Sequence, residues 1–373
     1  MKSASPASSD TRISVSPGLA DRLEELGASL ALTSYRTGQL ILIGRKPDGV
    51  LHFTHQTFGR AMGVTWRENR LLLASRTQLW RFENLLEPGE MGNGVHDAIL
   101  VPRIAFTVGD LDLHEVALGS GGMPLFVSTL FNCIGSPDPR FSFRPLWKPP
   151  FVASIDKGDR CHLNGMATRD GVPVLVTALS MSGKIDGWRQ NRAAGGVLMS
   201  LPDGEVILDG LAMPHSPRWS YDGIYLLESG RGMLVYIDGQ TGTKRDICFL
   251  PGFARGLSII DGTAVVTLSR PREISFAGLP LADELARRGA EPCCGLAFID
   301  LNTGELIEQV NFEGRIGELF DVTWLPGLRC PAVLGIDTEE IRGNIRLRPV
   351  SAPSPSSAVR ALADGWQVQT RQL

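Results

Sequence analysis

Cysteine is scarce in this 373-residue chain, and the six present (Cys133, Cys161, Cys248, Cys293, Cys294 and Cys330) include no CxxC pair. That spacing excludes a small disulfide-stapled domain and fits a reducing cytoplasm. An excess of one charge is also missing: 37 Lys and Arg face 40 Asp and Glu, for a net charge of −3, so no nucleic-acid partner is expected. No apolar run approaches the ~20 residues of a membrane helix. The opening MKSASPASSDTRISVSPG lacks the apolar stretch of an export signal. A soluble cytoplasmic protein is expected, with any protein partner left open. GxSxG, HExxH and GxGxxG contexts are absent, which removes the common hydrolase, zincin and dinucleotide readings and any organic cofactor. Gly-rich GSGGMP at 119–124 precedes a strand, whereas a phosphate loop leads into a helix.

What the chain has in quantity is short apolar runs between turns. QLILIG, RLLLAS, PLFVSTL, PVLVTAL, GGVLMSL, GIYLLES, GMLVYID, TAVVTLS and CGLAFIDL each span a strand's length and are bounded by Gly, Asp, Asn or Pro. They recur as a unit whose first strands open near Arg60, His114, His162, His215, Arg255 and Glu318, at gaps of 40 to 63 residues. That period predicts an all-β, six-bladed β-propeller, with seven blades as the alternative. The last unit is truncated and the N-terminal runs SLALTSY, QLILIG and VLHFTH lack a first strand, so pairing the two closes the ring and removes free sheet edges. The expected layout is a disordered leader over 1–20, one propeller over 21–349, and a loose tail over 350–373. Helices are expected only within LADRLEELGASL and over 279–290.

In a four-stranded meander the connection into strand one and the loop between strands two and three lie on the same face. Insertions at 131–143, 180–193 and 270–292 are assigned to that loop, and so to walls around one axial opening. His114, His162 and His215 open three consecutive first strands, 48 and 53 residues apart, and are half of the six histidines. Glu115, Asn164, Arg218, Arg255, Glu318 and Asp321 accompany them, and strand starts of successive blades converge on the axis.

The segments LWRFEN, VPRIAFTVGDLDLHEVAL, PLFVSTLFNC, SFRPLWKPPF, DRCHLNGMA, GWRQNRAAGGVLMSL, MPHSPRW, LPGFARGL, FAGLPL and ELFDVTWLPG together resemble a bacterial family known as a domain of unknown function, over residues 28 to 337. The resemblance implies a single unit over that span and carries no activity or ligand set with it.

Three chemistries compete for the histidines. One is a divalent metal such as Zn²⁺, Mn²⁺ or Fe²⁺ held by His114, His162 and His215, with Glu115 or Glu318 as a further ligand or base. A metal-free polar pocket is the second, and structural bonding between blades the third. Arg60, Arg189, Arg218 and Arg255 suit an anion clamp, with Asn164 and Asp321 also in contact with substrate; their plainer role is pairing with carboxylates. His114 and Glu115 are sequence neighbours, so on a regular strand they face opposite sides. Cys161, beside His162, is read as a small packed hydrophobe. The expected activity is a lyase, isomerase or hydrolase acting on a small anionic molecule, set against a non-catalytic binding or interaction scaffold.

Overall fold

The computed structural model describes residues 10–270 and 278–347. One compact unit runs through Asp337. A second begins at Thr338 and carries a short helix, Glu339–Gly343, with no buried residue. The tail expected over 350–373 lies outside the described residues.

The first unit is a six-bladed β-propeller of four- and five-stranded sheets. Its innermost strands, from the first blade to the sixth, are Val322–Pro326, Val64–Arg67, Leu113–Leu118, Leu163–Arg169, Pro214–Trp219 and Phe253–Ile260. Each touches the next around the axis. The expected closure is present: Val322–Pro326 pairs antiparallel with Ala28–Ser34, placing Trp324 opposite Leu30, and Gln39–Arg45 and Leu51–Thr57 complete that blade.

Two further pairings flank the closure. Arg12–Val15 adds a fifth strand to the sixth blade against Leu306–Glu313, and Pro331–Val333 runs parallel to the outer strand of the second blade. The leader expected to be disordered over 1–20 is therefore ordered from about residue 10. RISV was missed because all four residues are exposed, leaving no apolar pattern to read. The following helix, Leu19–Glu25, buries Leu19 and Leu23 as its spacing predicts, and the helix expected over 279–290 forms at Pro280–Arg288.

Apolar runs rather than alternating patterns arise here because both faces of each sheet are covered by neighbouring blades. Six buried clusters fill the six blade interfaces, the largest of them joining Phe298 and Phe312 of the last blade to Leu30, Ile43 and Trp324 of the first. A seventh cluster lies above the blades, where Trp188 of one insertion and Leu179 just before it meet Leu279, Leu281 and Leu285 of another.

One of the three predicted insertions is placed differently. In the third blade the second and third strands, Pro124–Ser128 and Cys133–Ser136, are joined by four residues only. The assignment of 131–143 to that loop fails because CIGS is itself a strand, fully buried and short enough to pass for loop. The longer wall on this side is the connection from Trp147 to Leu163, which enters the fourth blade's inner strand.

Candidate functional site

Each innermost strand carries a β-bulge at the same level, two residues facing one on the second strand. The pairs are Phe320–Asp321 opposite Thr33, Met62–Gly63 opposite Ala74, His114–Glu115 opposite Val127, Asn164–Gly165 opposite Thr177, Ser216–Pro217 opposite Leu226, and Arg255–Gly256 opposite Thr267. A bulge breaks the two-residue alternation. This is why His114 and Glu115, neighbours in sequence, both line the axial cavity. The alignment also corrects the repeat inferred from sequence. His114 corresponds to Asn164, Ser216 and Arg255, whereas His215 stands one residue before its bulge and His162 two before.

All three histidines are oriented by their Nδ1. That of His215 lies 2.9 Å from the Met213 carbonyl oxygen, which only accepts, so Nδ1 carries the proton. Ser229 Oγ also contacts it and gives its own hydrogen to the Ala254 carbonyl. His114 repeats the arrangement: Thr129 Oγ1 donates to the Leu163 carbonyl at 2.6 Å and so accepts from Nδ1 at 2.7 Å. His162 Nδ1 donates to Asp159 Oδ2 at 2.6 Å. Nε2 of His114 and of His215 is thereby left as a lone pair without a hydrogen bond to the described residues, the state of a base or ligand nitrogen. His114 and His162 lie edge to face with centroids 5.0 Å apart, and Trp188 covers His162 at 4.4 Å.

Electrostatics keep two of these rings neutral. Burial pushes His114 down to about 4, helped by the charges of His162 and Arg255 and opposed by Asp112. Burial likewise takes His215 well below the ordinary imidazole value, and Arg255 adds to the effect. Beneath them Asp321 is raised to about 7, by burial first and then by Glu115, itself raised by burial. Arg218 pairs with Glu115, its Nη2 2.8 Å from Oε1, and its charge also acts on Asp321 against the rise. Arg218 Nε and Nη1 serve the carbonyls of Leu257 and Pro217, so its donor set is in use. It lines the lower cavity of about 250 Å³ with Thr65 and Trp219, and is absent from the upper one. The Glu115–Arg218 pair separates the two ends of the axis.

The upper cavity, bounded by His114, Glu115, Asn164, His215, Ser216, Arg255, Phe320 and Asp321, encloses about 10 Å³, roughly one water molecule. Not every candidate is available there. Asn164 spends its amide on the Pro214 carbonyl, the Gly165 N–H and the Thr177 hydroxyl. Both Asp321 oxygens accept backbone N–H groups, from Val64 and Val322. Arg60 is held by Asp112 at 2.5 Å and Asp110 at 3.6 Å. Arg189 sits exposed on its loop, stacked on Trp188 and paired with Asp186. Arg255 differs: Nη1 contacts Glu318 at 3.2 Å, but its buried Nε has no partner. Its guanidinium lies 5.2–5.5 Å from the ring centroids of Phe320, Phe253 and Tyr35.

The ligand atoms of His114, His162 and His215 are not all within 4.8 Å of one another, so the expected three-histidine metal set is not assembled in this arrangement. Cys161 is fully buried and burial lifts its thiol to about 12, as fits a packing residue. Sequence reasoning missed Asp112, Asp159, Thr129, Ser229, Ser216 and Phe320. The first two were legible as an acid two or three residues before a histidine, in DLH and DRCH. The hydroxyls come from second strands and bear no local mark. No helix among the described residues is long and apolar enough to cross a membrane.

A chain of the nidogen/laminin complex is similar in structure, at 10% identity, TM-score 0.51, and coverage of 80% of this chain and 99% of that one, a likeness of fold. Weaker likenesses are to an inactive variant of virginiamycin B lyase from Staphylococcus aureus with quinupristin (11% identity, TM-score 0.40, 82% and 99% covered) and a gluconolactonase from Xanthomonas campestris (14%, 0.45, 85% and 89%). In sequence, a leucine–tRNA ligase from Aeropyrum pernix is 25% identical over 283 residues. That match takes in 68% of this chain, which spans about a quarter (27%) of that relative's length. The family model described as a domain of unknown function (DUF4915) matches residues 17–334, taking in the helix ahead of the first blade, and the chain belongs to that family.

Proposed function

We propose that the upper end of the propeller axis is a hydrolytic site for a small anionic molecule bearing an ester, lactone or similar acyl group. Arg255 carries this reading: a cation with an unpartnered Nε, lining the same cavity as two imidazoles that are neutral at pH 7 and present free Nε2 atoms. The arginine takes the anionic end of the substrate. Nε2 of His114 or His215 takes a proton from water as the water oxygen adds to the carbonyl carbon. The imidazolium then returns that proton to the leaving oxygen as the acyl bond breaks. His162, fixed by Asp159 and covered by Trp188, positions the substrate at the mouth, and Glu318 positions Arg255. The cavity, about one water in volume, takes the attacking water, and the substrate rests above it, between the insertions. The unpaired thiols suit a reducing compartment such as the cytoplasm.

Hydrolysis at neutral pH releases an acid, so a pH-indicator screen of anionic esters and lactones tests the reading directly. Turnover is expected to fall 10²–10⁴-fold in His215→Asn or His114→Asn, and in Arg255→Met chiefly through KM. Turnover that survives all three substitutions, or none with any anionic ester or lactone, would overturn it. A second reading, a non-catalytic binding propeller, is favoured by the carboxylate partners of Arg60, Arg189, Arg218 and Arg255. It predicts no turnover, with partner binding sensitive to deletion within 278–292 and indifferent to His215→Asn.

A further inference from the structure

Away from the axis, at the seam where the ring closes, three segments distant in sequence bring potential ligands together. His52 lies on the outer strand of the first blade, Leu51–Thr57. His96 ends the turn before the second blade's outer strand, and Cys330 immediately precedes Pro331–Val333. One ring nitrogen of each histidine and the Cys330 sulfur all lie within 4.8 Å of one another, the one such set among the described residues.

The set is held from behind. Asp97 accepts the backbone N–H groups of Arg329 at 2.6 Å and Cys330 at 2.9 Å through its two oxygens. His96 Nδ1 is 3.0 Å from the Cys330 carbonyl oxygen, and its backbone N–H donates to Gly92 at 2.9 Å. Two adjacent residues of the second blade's lead-in, His96 and Asp97, thus grip two adjacent residues of the closing segment. His52 faces His96 with ring centroids 5.3 Å apart. His96 Nδ1 is also 3.9 Å from the Cys330 sulfur, so ring and sulfur are already held against each other, as preorganised ligands are. Cys330 also lines a groove of about 410 Å³ with Lys46, Asp97 and Arg329.

We infer that His52, His96 and Cys330 form a binding site for a borderline-soft cation, Zn²⁺ foremost, which staples the ring closure. Two imidazoles and a thiolate suit Zn²⁺ and disfavour hard Mg²⁺ or Ca²⁺. Bonds of about 2.0–2.3 Å ask the three groups to draw together slightly from their present spacing. The ion would join the first blade, the second blade and the C-terminal segment at the place where the circle depends on non-covalent pairing alone.

The test uses untagged full-length protein stripped with chelator and titrated with Zn²⁺ or Co²⁺. One equivalent is expected to bind, Co²⁺ showing a thiolate charge-transfer band in the near ultraviolet, and Zn²⁺ is expected to raise the Tm. Cys330→Ser should abolish the band, and His52→Gln, at a half-exposed position that tolerates the change, should weaken binding at least 10–100-fold. His162→Ala should leave both unchanged, which separates this seam from the axial histidines. Absence of a bound equivalent, a Co²⁺ spectrum without the thiolate band, or loss of binding in His162→Ala would each overturn the inference. Circular dichroism of the chelated proteins confirms that each variant is folded.

Discussion

The depressed basicity of His114 makes a quantitative demand on stability. In the unfolded chain an imidazole titrates near 6.5; in the fold His114 titrates at about 4, mainly because burial disfavours its charge. Between those values the unfolded state binds a proton that the native state refuses, so stability falls with falling pH. The contribution is fully present above pH 6.5 and is lost progressively down to about pH 4. At pH 4.5 the loss from this one residue is about 2.5 kcal/mol. Asp321 acts in the opposite direction: raised to about 7, it adds stability as pH falls from there toward the ordinary carboxylate range, so the total pH profile hides both. Substitution separates them. His114→Asn costs the Thr129 contact equally at both pH values, and that cost cancels when the change from pH 7 to 4.5 is compared between parent and variant. Urea unfolding followed by tryptophan fluorescence should therefore show the parent losing about 2.5 kcal/mol more than the variant over this interval. Parallel losses in the two proteins, or a His114 imidazole titrating near 6.5 by NMR, would refute the reasoning.

Breaking the buried pair at the foot of the cavity should be costly from either side. Glu115→Gln or Arg218→Met is expected to cost about 3–5 kcal/mol by leaving a buried charge without its partner, while the double variant should cost clearly less than the sum; additive losses by urea denaturation would show that the pair is not coupled. Thiol accessibility gives an independent check of the packing. Burial raises Cys133, Cys161 and Cys294 each to about 12, so a native-state thiol titration should label Cys248 and Cys293 first and the other three only after denaturant is added; fast native labelling of Cys161, located by peptide mapping, would contradict the inter-blade position assigned to it.

The architecture was legible because propeller blades impose a period. Apolar strands such as TAVVTLS and GMLVYID are covered on both faces, and their recurrence at blade spacing yields the blade number and the closure. Strands RISV and CIGS were not legible, the first being wholly exposed and the second too short to show any alternation. Site geometry was half legible. Placing His114, His215, Arg255 and Asp321 around one axis follows from topology alone, yet the roles of Asn164 and Arg218 are settled by partners 50 and 103 residues away. His96 and Cys330, 234 residues apart, were invisible for the same reason.

The bulges explain how so narrow an axis holds so many polar groups. Six inner strands meeting at one level leave no space for six side chains. At the second bulge position glycine alternates with a larger residue: Gly63, Gly165 and Gly256 in the second, fourth and sixth blades, with Asp321, Glu115 and Pro217 in the others. A Cβ on Gly63 would lie 2.6 Å from the His114 carbonyl oxygen, and one on Gly256 2.6 Å from the Asp321 Cα, each belonging to the next blade. These contacts are with backbone, which yields poorly, so alanine at either position would push the neighbouring inner strand off the axis. The glycines therefore let the inner strands that carry Glu115 and Asp321 lie close against their neighbours, where both carboxyls are buried near Arg218. The packing of the axis depends on three residues without side chains as much as on those that line the cavity.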